Sequence, residues 1–147
     1  MPRNDEWQSR IKSVENEYKA MRQASERFKM MALNDPSTLE VGSEHRHLIT
    51  ACANLESTYL IRLFAVFETG VRQYWATQKP TKPKTINLLK GVASRRRIPT
   101  AELILADSVR KYRNCLVHES TESLTPIPLA DARGYLCRFF AFLPPRW

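Results

Sequence analysis

The chain has 147 residues, of which 43% are apolar. This length predicts a single domain, residues 1–147, that is long enough to bury a hydrophobic core. Its composition argues against a sheet-rich fold, because only four glycines occur and few segments alternate apolar with polar residues. No run approaches the about 18 apolar residues of a membrane span and the N-terminus lacks a signal peptide, so we expect a cytoplasmic protein without membrane association.

The first predicted helix covers residues 5–33, with Asn4 or Asp5 as its N-cap. Pro36 ends it, because a proline disfavours helical backbone at the residue before it. Its apolar residues recur every three or four positions and form one stripe: Trp7, Ile11, Val14, Tyr18, Met21 and Phe28.

The second predicted helix begins after an N-cap at Ser43 and runs to about residue 78. This is unusually long and leaves room for a bend near Asn54. Segment 79–84, KPTKPK, is a linker, because prolines three residues apart do not fit a helix interior. Residues 85–97 follow as a short third helix.

The fourth predicted helix covers about residues 99–118 and has Pro99 in its first turn. The last covers about residues 128–143. Four main helices and one short helix, joined mostly by short connections, predict an all-α fold: an antiparallel up-and-down helical bundle.

The cysteines and two of the histidines do not form a pattern typical of a metal site. Cys52, Cys115 and Cys137 are widely spaced in apolar helical segments, which predicts reduced, buried thiols. His45 and His47 are two positions apart and point in different directions on a helix. We therefore expect neither a metal nor a cofactor.

Positive charge is concentrated in residues 69–101, which contain no acidic residue and eight cations, equal to the whole net charge of +8. Such a segment favours an anionic partner, RNA or DNA first. A solvated surface that aids solubility is the other interpretation. The cations are Arg72, Lys79, Lys82, Lys84, Lys90, Arg95, Arg96 and Arg97.

The fourth helix ends in a group of polar side chains within YRNCLVHES, residues 112–120. At 100° per residue, Asn114 and His118 share one face, and Arg113 lies on the same flank but closer to the core. The core-facing positions of this helix are Leu105, Val109, Tyr112 and Leu116.

This group has the functional groups that phosphate chemistry needs. A guanidinium can bind two phosphate oxygens with parallel hydrogen bonds. An imidazole can exchange a proton with a ribose 2′-hydroxyl or a leaving oxygen, and an amide can orient either group.

Two other interpretations of the same residues stay open. Arginine and histidine at a helix C-terminus are favoured by the macrodipole whatever the function, and asparagine there makes local hydrogen bonds. Cys115 is also near His118 on the wheel, but a nucleophilic thiol is usually activated at a helix N-terminus.

Residues 113–118, RNCLVH, fit R-N-x-x-x-H, a form of the R-x(4–6)-H motif, and the chain resembles the HEPN superfamily (higher eukaryotes and prokaryotes nucleotide-binding domain). The resemblance extends over the whole set of predicted helices. It implies a metal-independent endoribonuclease of toxin–antitoxin or antiviral defence systems, acting as a homodimer whose two motifs meet in one cleft.

The resemblance also implies an acidic residue that faces the motif from the long upstream helix. Glu68 is the candidate, paired either with Arg113 or, equally, with Arg72 in a surface salt bridge.

The resemblance further implies RNA cleavage by attack of a 2′-hydroxyl on the adjacent phosphate, which leaves a 2′,3′-cyclic phosphate. His118 would act as general base or acid, with one from each subunit filling both roles. Arg113 would neutralise developing charge, and Asn114 would orient His118 or bind the phosphate. Arg110 and the basic residues between 79 and 97 would hold the RNA backbone. Tyr112 is assigned to core packing rather than to base stacking.

The competing hypothesis is a catalytically inactive HEPN-like module, used for dimerisation or as a nucleic-acid-binding regulator. In either case a separate antitoxin or regulatory protein is a candidate partner. A helix-turn-helix DNA-binding unit over residues 85–104 fits less well, because its second helix is apolar along its first half.

Overall fold

The computed structural model describes residues 2–118 and 124–147. The prediction of an all-helical protein is confirmed for these residues, where extended backbone pairs only in an isolated bridge between Arg3 and Arg146. The predicted short third helix is confirmed, with 12 residues, and the last helix, with 13, is nearly as short. The helices are α1 (Asn4–Asn34), α2 (His45–Gln78), α3 (Thr85–Arg96), α4 (Thr100–His118) and α5 (Leu129–Ala141).

Both predicted N-caps are wrong. Helix α1 begins at Asn4, before Asp5, and the side-chain amide of Asn4 is buried. There its Nδ2 donates to the carbonyl oxygens of Phe140 and Leu143, at 3.0 and 2.9 Å. The amide therefore joins the start of α1 to the end of α5. Helix α2 begins two residues after Ser43 and has no side-chain hydrogen bond at its cap.

The contacts between helices give their relative directions. Helices α1 and α2 are antiparallel, because Trp7 lies against Gly70 while Tyr18 lies against Tyr59. Helix α5 packs against α1, α2 and α4, and α3 packs against α2 and α4. None of the helices in the described ranges combines the length and the apolar character that crossing a membrane requires.

The core is a cluster of buried apolar side chains from all five helices. Its centre is aromatic: the ring of Phe67 meets those of Phe139 and Phe140 edge-on, at centroid distances of 5.6 and 5.9 Å. Trp147, beyond the last helix, packs on Tyr74 and Phe140. Trp147 is thus a structural part of the core, which its position after the last helical pattern did not reveal.

The apolar stripe of α1 is buried only along its first half. Tyr18 belongs to the core, whereas Met21 and Phe28 are 45% and 39% exposed. From residue 19 to residue 59 only Ala32 is buried. Periodicity identified the apolar face of the helix correctly but carried no information on which part of that face a third helix covers.

Gly70 lies where α1, α2 and α5 meet, and a methyl group there has no room. An added Cβ would lie 2.6 Å from Cζ of Phe140 and 2.8 Å from Cδ2 of Trp7. We expect Gly70→Ala to lower the free energy of unfolding by about 1–3 kcal/mol, because two core rings must move. Gly134→Ala in α5 is the control: nothing lies within 4 Å of its Cβ position, so it should gain about 0.5–1 kcal/mol from helix propensity. Urea unfolding of both variants measures this, and a shift of equal sign would contradict the packing.

Glu15 is a buried carboxylate that links α1 to α5. It accepts a hydrogen bond from Nε of Arg133 at 2.7 Å and lies 3.2 Å from Nζ of Lys19. Burial raises the pKa of Glu15, but the hydrogen bonds and the two positive charges together outweigh burial, so its pKa is lowered. A depressed folded-state pKa contributes stability that is present above the unfolded pKa, about 4.3, and is lost as the pH falls through the folded value.

Glu15→Gln should therefore lower the free energy of unfolding at neutral pH by about 1–2 kcal/mol, less than for a fully buried pair because Arg133 is partly exposed. It should also make the loss of stability below about pH 5 shallower. The matched control is Glu17→Gln, whose ion pair with Arg62 is exposed and should contribute little. Denaturant unfolding between pH 3 and pH 7 (about the range of carboxyl titration) checks both. An acid sensitivity that Glu15→Gln leaves unchanged would contradict this account.

Candidate functional site

Helix α4 carries the candidate site and is held to the core by one face. Of its four predicted core positions, Val109 is buried, and Tyr112 and Leu116 are half-buried and pack against the core. Leu105 is half-buried at the edge of a surface cleft instead, and Ala106 is fully buried. Because this face of α4 packs against the core, the directions in which the side chains after Tyr112 point are fixed.

Arg113 is half-buried between α4 and α2. Its guanidinium carbon lies 5.6 Å from the ring centre of Phe64, a fully buried residue of α2. Its Nη1 donates to Oδ1 of Asn114 at 2.9 Å. Its Nε is buried and meets no hydrogen-bond acceptor among the described residues. Asn114 therefore orients the guanidinium, whereas the sequence had suggested His118 or a phosphate as its partner.

Arg113 differs from the other half-buried arginines in its lack of a counter-ion. Arg72, Arg110 and Arg133 each form an ion pair with a carboxylate, supplied by Glu68, Asp107 and Glu15 respectively. Arg113 has no carboxylate within 4.0 Å in residues 2–118 and 124–147. A cation removed from water without a counter-ion is unfavourable. Among the described residues, the guanidinium of Arg113 therefore meets only neutral groups, the ring of Phe64 and the amide oxygen of Asn114.

His118 is the last residue of α4, and its side chain is exposed. It follows Arg113 by five residues, about 7.5 Å along the helix axis. Arg113, Asn114 and His118 line none of five well-formed surface clefts on the described residues. The motif thus lies at the open end of α4, and convergence of its guanidinium and imidazole on one phosphate stays a prediction.

Glu68 is paired with Arg72 rather than with Arg113. Its Oε1 accepts from Nε and Nη2 of Arg72, at 3.0 and 2.7 Å, and from the hydroxyl of Thr85 at 2.7 Å. Arg72 also donates to the carbonyl oxygen of Pro83, at 3.0 Å. The structure thus selects the salt bridge from the two alternatives that the sequence left open. This cluster fastens the 79–84 linker and the start of α3 to α2.

Arg110, predicted to contact RNA, is largely neutralised within its own helix. Its Nε lies 2.6 Å from a carboxylate oxygen of Asp107, whose other oxygen lies 3.4 Å from Nζ of Lys111. The two cations share one carboxylate, so this part of α4 carries less free positive charge than the sequence suggested.

The basic segment, in contrast, keeps its charge. Apart from Arg72, its cations are exposed, and none of them has a carboxylate within 4.0 Å among the described residues. The hydrogen bonds that they donate go to neutral acceptors. Arg95 donates to the side chain of Gln78 and Arg96 to the carbonyl oxygen of Phe142. The seven uncompensated cations are Lys79, Lys82, Lys84, Lys90, Arg95, Arg96 and Arg97.

All three cysteines are unpaired, as predicted, but only Cys137 is buried, and burial raises the pKa of its thiol. Cys52 and Cys115 are half-buried. In the described part of the chain, no three histidine, cysteine or acidic side chains are placed together so that they could hold a metal ion.

Sequence reasoning missed Phe64 as a neighbour of the site. Phe64 belongs to the apolar stripe of α2, and a phenylalanine at such a position is expected only to pack in the hydrophobic core. Nothing in a single sequence indicates that the fold places a cation over its ring. The contact between neighbouring residues Arg113 and Asn114 was missed for another reason, since adjacent residues of a helix point about 100° apart.

Comparison with protein-family models, curated proteins and solved structures gives no significant match to this chain. The resemblance to the HEPN superfamily is thus carried by residues 113–118, by their place at the end of α4, and by the long α2 opposite.

Proposed function

We propose that the protein is a metal-independent endoribonuclease of HEPN type, a cytoplasmic toxin or phage-defence effector that acts as a homodimer. The observation that carries the proposal is the state of Arg113. Its guanidinium is half-buried, oriented by Asn114, and without a counter-ion among the described residues. Five residues further on, the imidazole of His118 is exposed. A phosphate diester is an anion that such a guanidinium binds well.

In the proposed reaction the ribose 2′-oxygen attacks the adjacent phosphorus, and the bond from phosphorus to the 5′-oxygen breaks. One His118 imidazole takes the 2′-hydroxyl proton, and a second protonates the departing 5′-oxygen. Arg113 stabilises the negative charge that gathers on the non-bridging oxygens. Asn114 holds Arg113 in position. The products are a 2′,3′-cyclic phosphate and a 5′-hydroxyl.

The homodimer follows from the need for two imidazoles. One α4 end supplies a single His118, and a two-fold axis near that end would supply the second. Val117, beside His118, is 44% exposed, so an apolar side chain is present where the proposed pairing needs one.

RNA would be held by the seven uncompensated cations. For single-stranded nucleic acid, each phosphate contact contributes about 0.7 to the slope of log affinity against log salt. We expect the double variant Lys79→Ala/Lys82→Ala to make this slope shallower by about 1.4. The control pair Arg22→Ala/Arg62→Ala, outside the basic segment, should change it little. RNA binding measured at several salt concentrations tests this, and equal slopes would remove the segment from the RNA path.

A second candidate function is a nucleic-acid-binding regulator without catalysis, and the same cations favour it because they would bind nucleic acid whether or not His118 acts. Overexpression separates the two: a ribonuclease should stop growth in a manner that depends on His118, and a regulator should not. A separate antitoxin or regulatory protein is the expected partner of the toxic form.

The test of the proposed function is incubation of purified protein with RNA in the presence of EDTA. We expect cleavage that chelation leaves intact, with cyclic phosphate at the new 3′-ends and hydroxyl at the new 5′-ends. Absence of cleavage, or cleavage that requires a divalent metal, would contradict the proposal.

A further inference from the structure

A cleft of about 450 Å³ lies between α4 and α5, next to the candidate site but separate from it. Its walls are the face of α4 that includes Tyr112, the face of α5 that includes Tyr135, and segment 124–128, which leads into α5. Its volume is in the range of pockets that hold small organic groups. No role in the proposed chemistry uses this cleft.

The walls of the cleft are mostly apolar and include two aromatic rings, those of Tyr112 and Tyr135, both half-buried. Single-stranded RNA is recognised largely by unstacked bases that pack on aromatic side chains. Leu124, Pro126 and Ile127 close the remaining side with apolar surface.

Asp131 is the carboxylate that lines this cleft. It lies in the first turn of α5, and among the described residues it has neither an ion pair nor a hydrogen bond. Most other acidic residues of the described helices are paired: Glu102, for example, lies 3.2 Å from Arg138, and Asp107 binds Arg110. The side chain of Asp131 therefore offers two free acceptor oxygens at the edge of an aromatic, apolar space.

The cleft and the candidate site share helix α4. Tyr112 precedes Arg113 directly, and six residues separate it from His118, about 9 Å along the helix. Lys111, on the rim, is the cation nearest in sequence to Arg113 among the lining residues. To enter the cleft, a nucleotide adjacent to a phosphate at the end of α4 passes from the face of Arg113 to the face of Tyr112, about 100° around the helix.

We infer that this cleft binds a guanine base of the RNA, next to the phosphate that is cleaved, and that Asp131 selects it; the inference rests on the proposed function. Guanine presents two neighbouring donors, N1–H and the N2 amine, which match the two oxygens of one carboxylate. Uracil presents one donor between two carbonyl oxygens, which a carboxylate repels. Asp131 is a specificity residue and takes no part in bond cleavage.

The test measures binding of oligouridylate with one central guanosine to the His118→Ala variant, so that cleavage does not interfere. All-uridine and inosine-containing oligonucleotides are compared, because inosine keeps N1–H and lacks the N2 amine. We expect about tenfold tighter binding with guanosine than with uridine, and an intermediate value with inosine. Asp131→Asn on the same background should remove most of the preference. Glu6→Gln, an exposed carboxylate in the first turn of α1, is the matched control and should keep it.

Equal binding of the three oligonucleotides, absence of binding, or a preference that survives Asp131→Asn would overturn the inference. The proposed function fails separately. If unsubstituted protein cleaves RNA without regard to guanosine, the cleft assignment is wrong and the nuclease stands. If guanosine binding depends on Asp131 but no RNA is cleaved, the cleft assignment holds and the nuclease proposal is wrong.

Discussion

Replacement of Arg113 by alanine is expected to lower the rate of RNA cleavage about a hundred- to a thousandfold, the usual cost of one preorganised group that stabilises developing negative charge. The effect should be large because the guanidinium is held by Asn114 and by the ring of Phe64 before substrate binds. Little reorganisation is then needed during the reaction. Single-turnover cleavage of a defined RNA measures the loss.

Arg113→Lys keeps the charge but not the parallel pair of hydrogen bonds, so its activity should lie between those of the parent and Arg113→Ala. Stability gives an independent readout. Because Arg113 lacks a counter-ion among the described residues, Arg113→Ala should not lower the free energy of unfolding by more than about 1 kcal/mol. Arg62→Ala, an exposed arginine of α2, is the control and should keep full activity. Cleavage by Arg113→Ala at the parental rate would remove Arg113 from the mechanism.

Replacement of His118 by alanine should lower cleavage about a hundred- to ten-thousandfold, since proton transfer by a positioned side chain contributes that much. The side chain is exposed at the end of α4, so the fold should tolerate the change. The loss of a favourable interaction with the helix C-terminus amounts to about 1 kcal/mol at most. A melting temperature close to that of the parent, together with lost cleavage, is the expected result.

His47→Ala is the matched control for His118, because His47 is also exposed on a helix but lies outside the motif. It should leave cleavage and toxicity unchanged. If His118→Ala retains parental activity, the imidazole has no role in proton transfer and the second candidate function, a nucleic-acid-binding regulator, becomes the better account.

The positions of the helices could be predicted from the sequence because apolar spacing and prolines act over only a few residues. Apolar spacing and the prolines at 36, 80 and 83 placed all five helices within about two residues at each end. The caps failed because tertiary contacts override local preference: the amide of Asn4 bonds to carbonyl oxygens at the other end of the chain. Trp147 escaped notice for the same reason, since its partners are distant in sequence.

The candidate site was only partly predictable. Which residues share the end of α4 follows from helical geometry, and this placed Arg113 near the core correctly. The pairing of carboxylates with cations depends on how the helices pack, and the sequence alone allows several pairings equally. Glu68 could have faced Arg113 or Arg72, and only the fold decides for Arg72. The compensation of Arg110 by Asp107, three positions away, was in contrast available from helical spacing.

The central claim is that the guanidinium of Arg113 binds a phosphate group of RNA. Nuclear magnetic resonance of arginine Nε–H groups measures this directly during titration with RNA whose 2′-hydroxyls are methylated, which prevents cleavage. The signal of Arg113 should shift markedly, while that of Arg72, already bonded to Glu68, should stay in place. An unchanged Arg113 signal on a protein saturated with RNA would contradict the account.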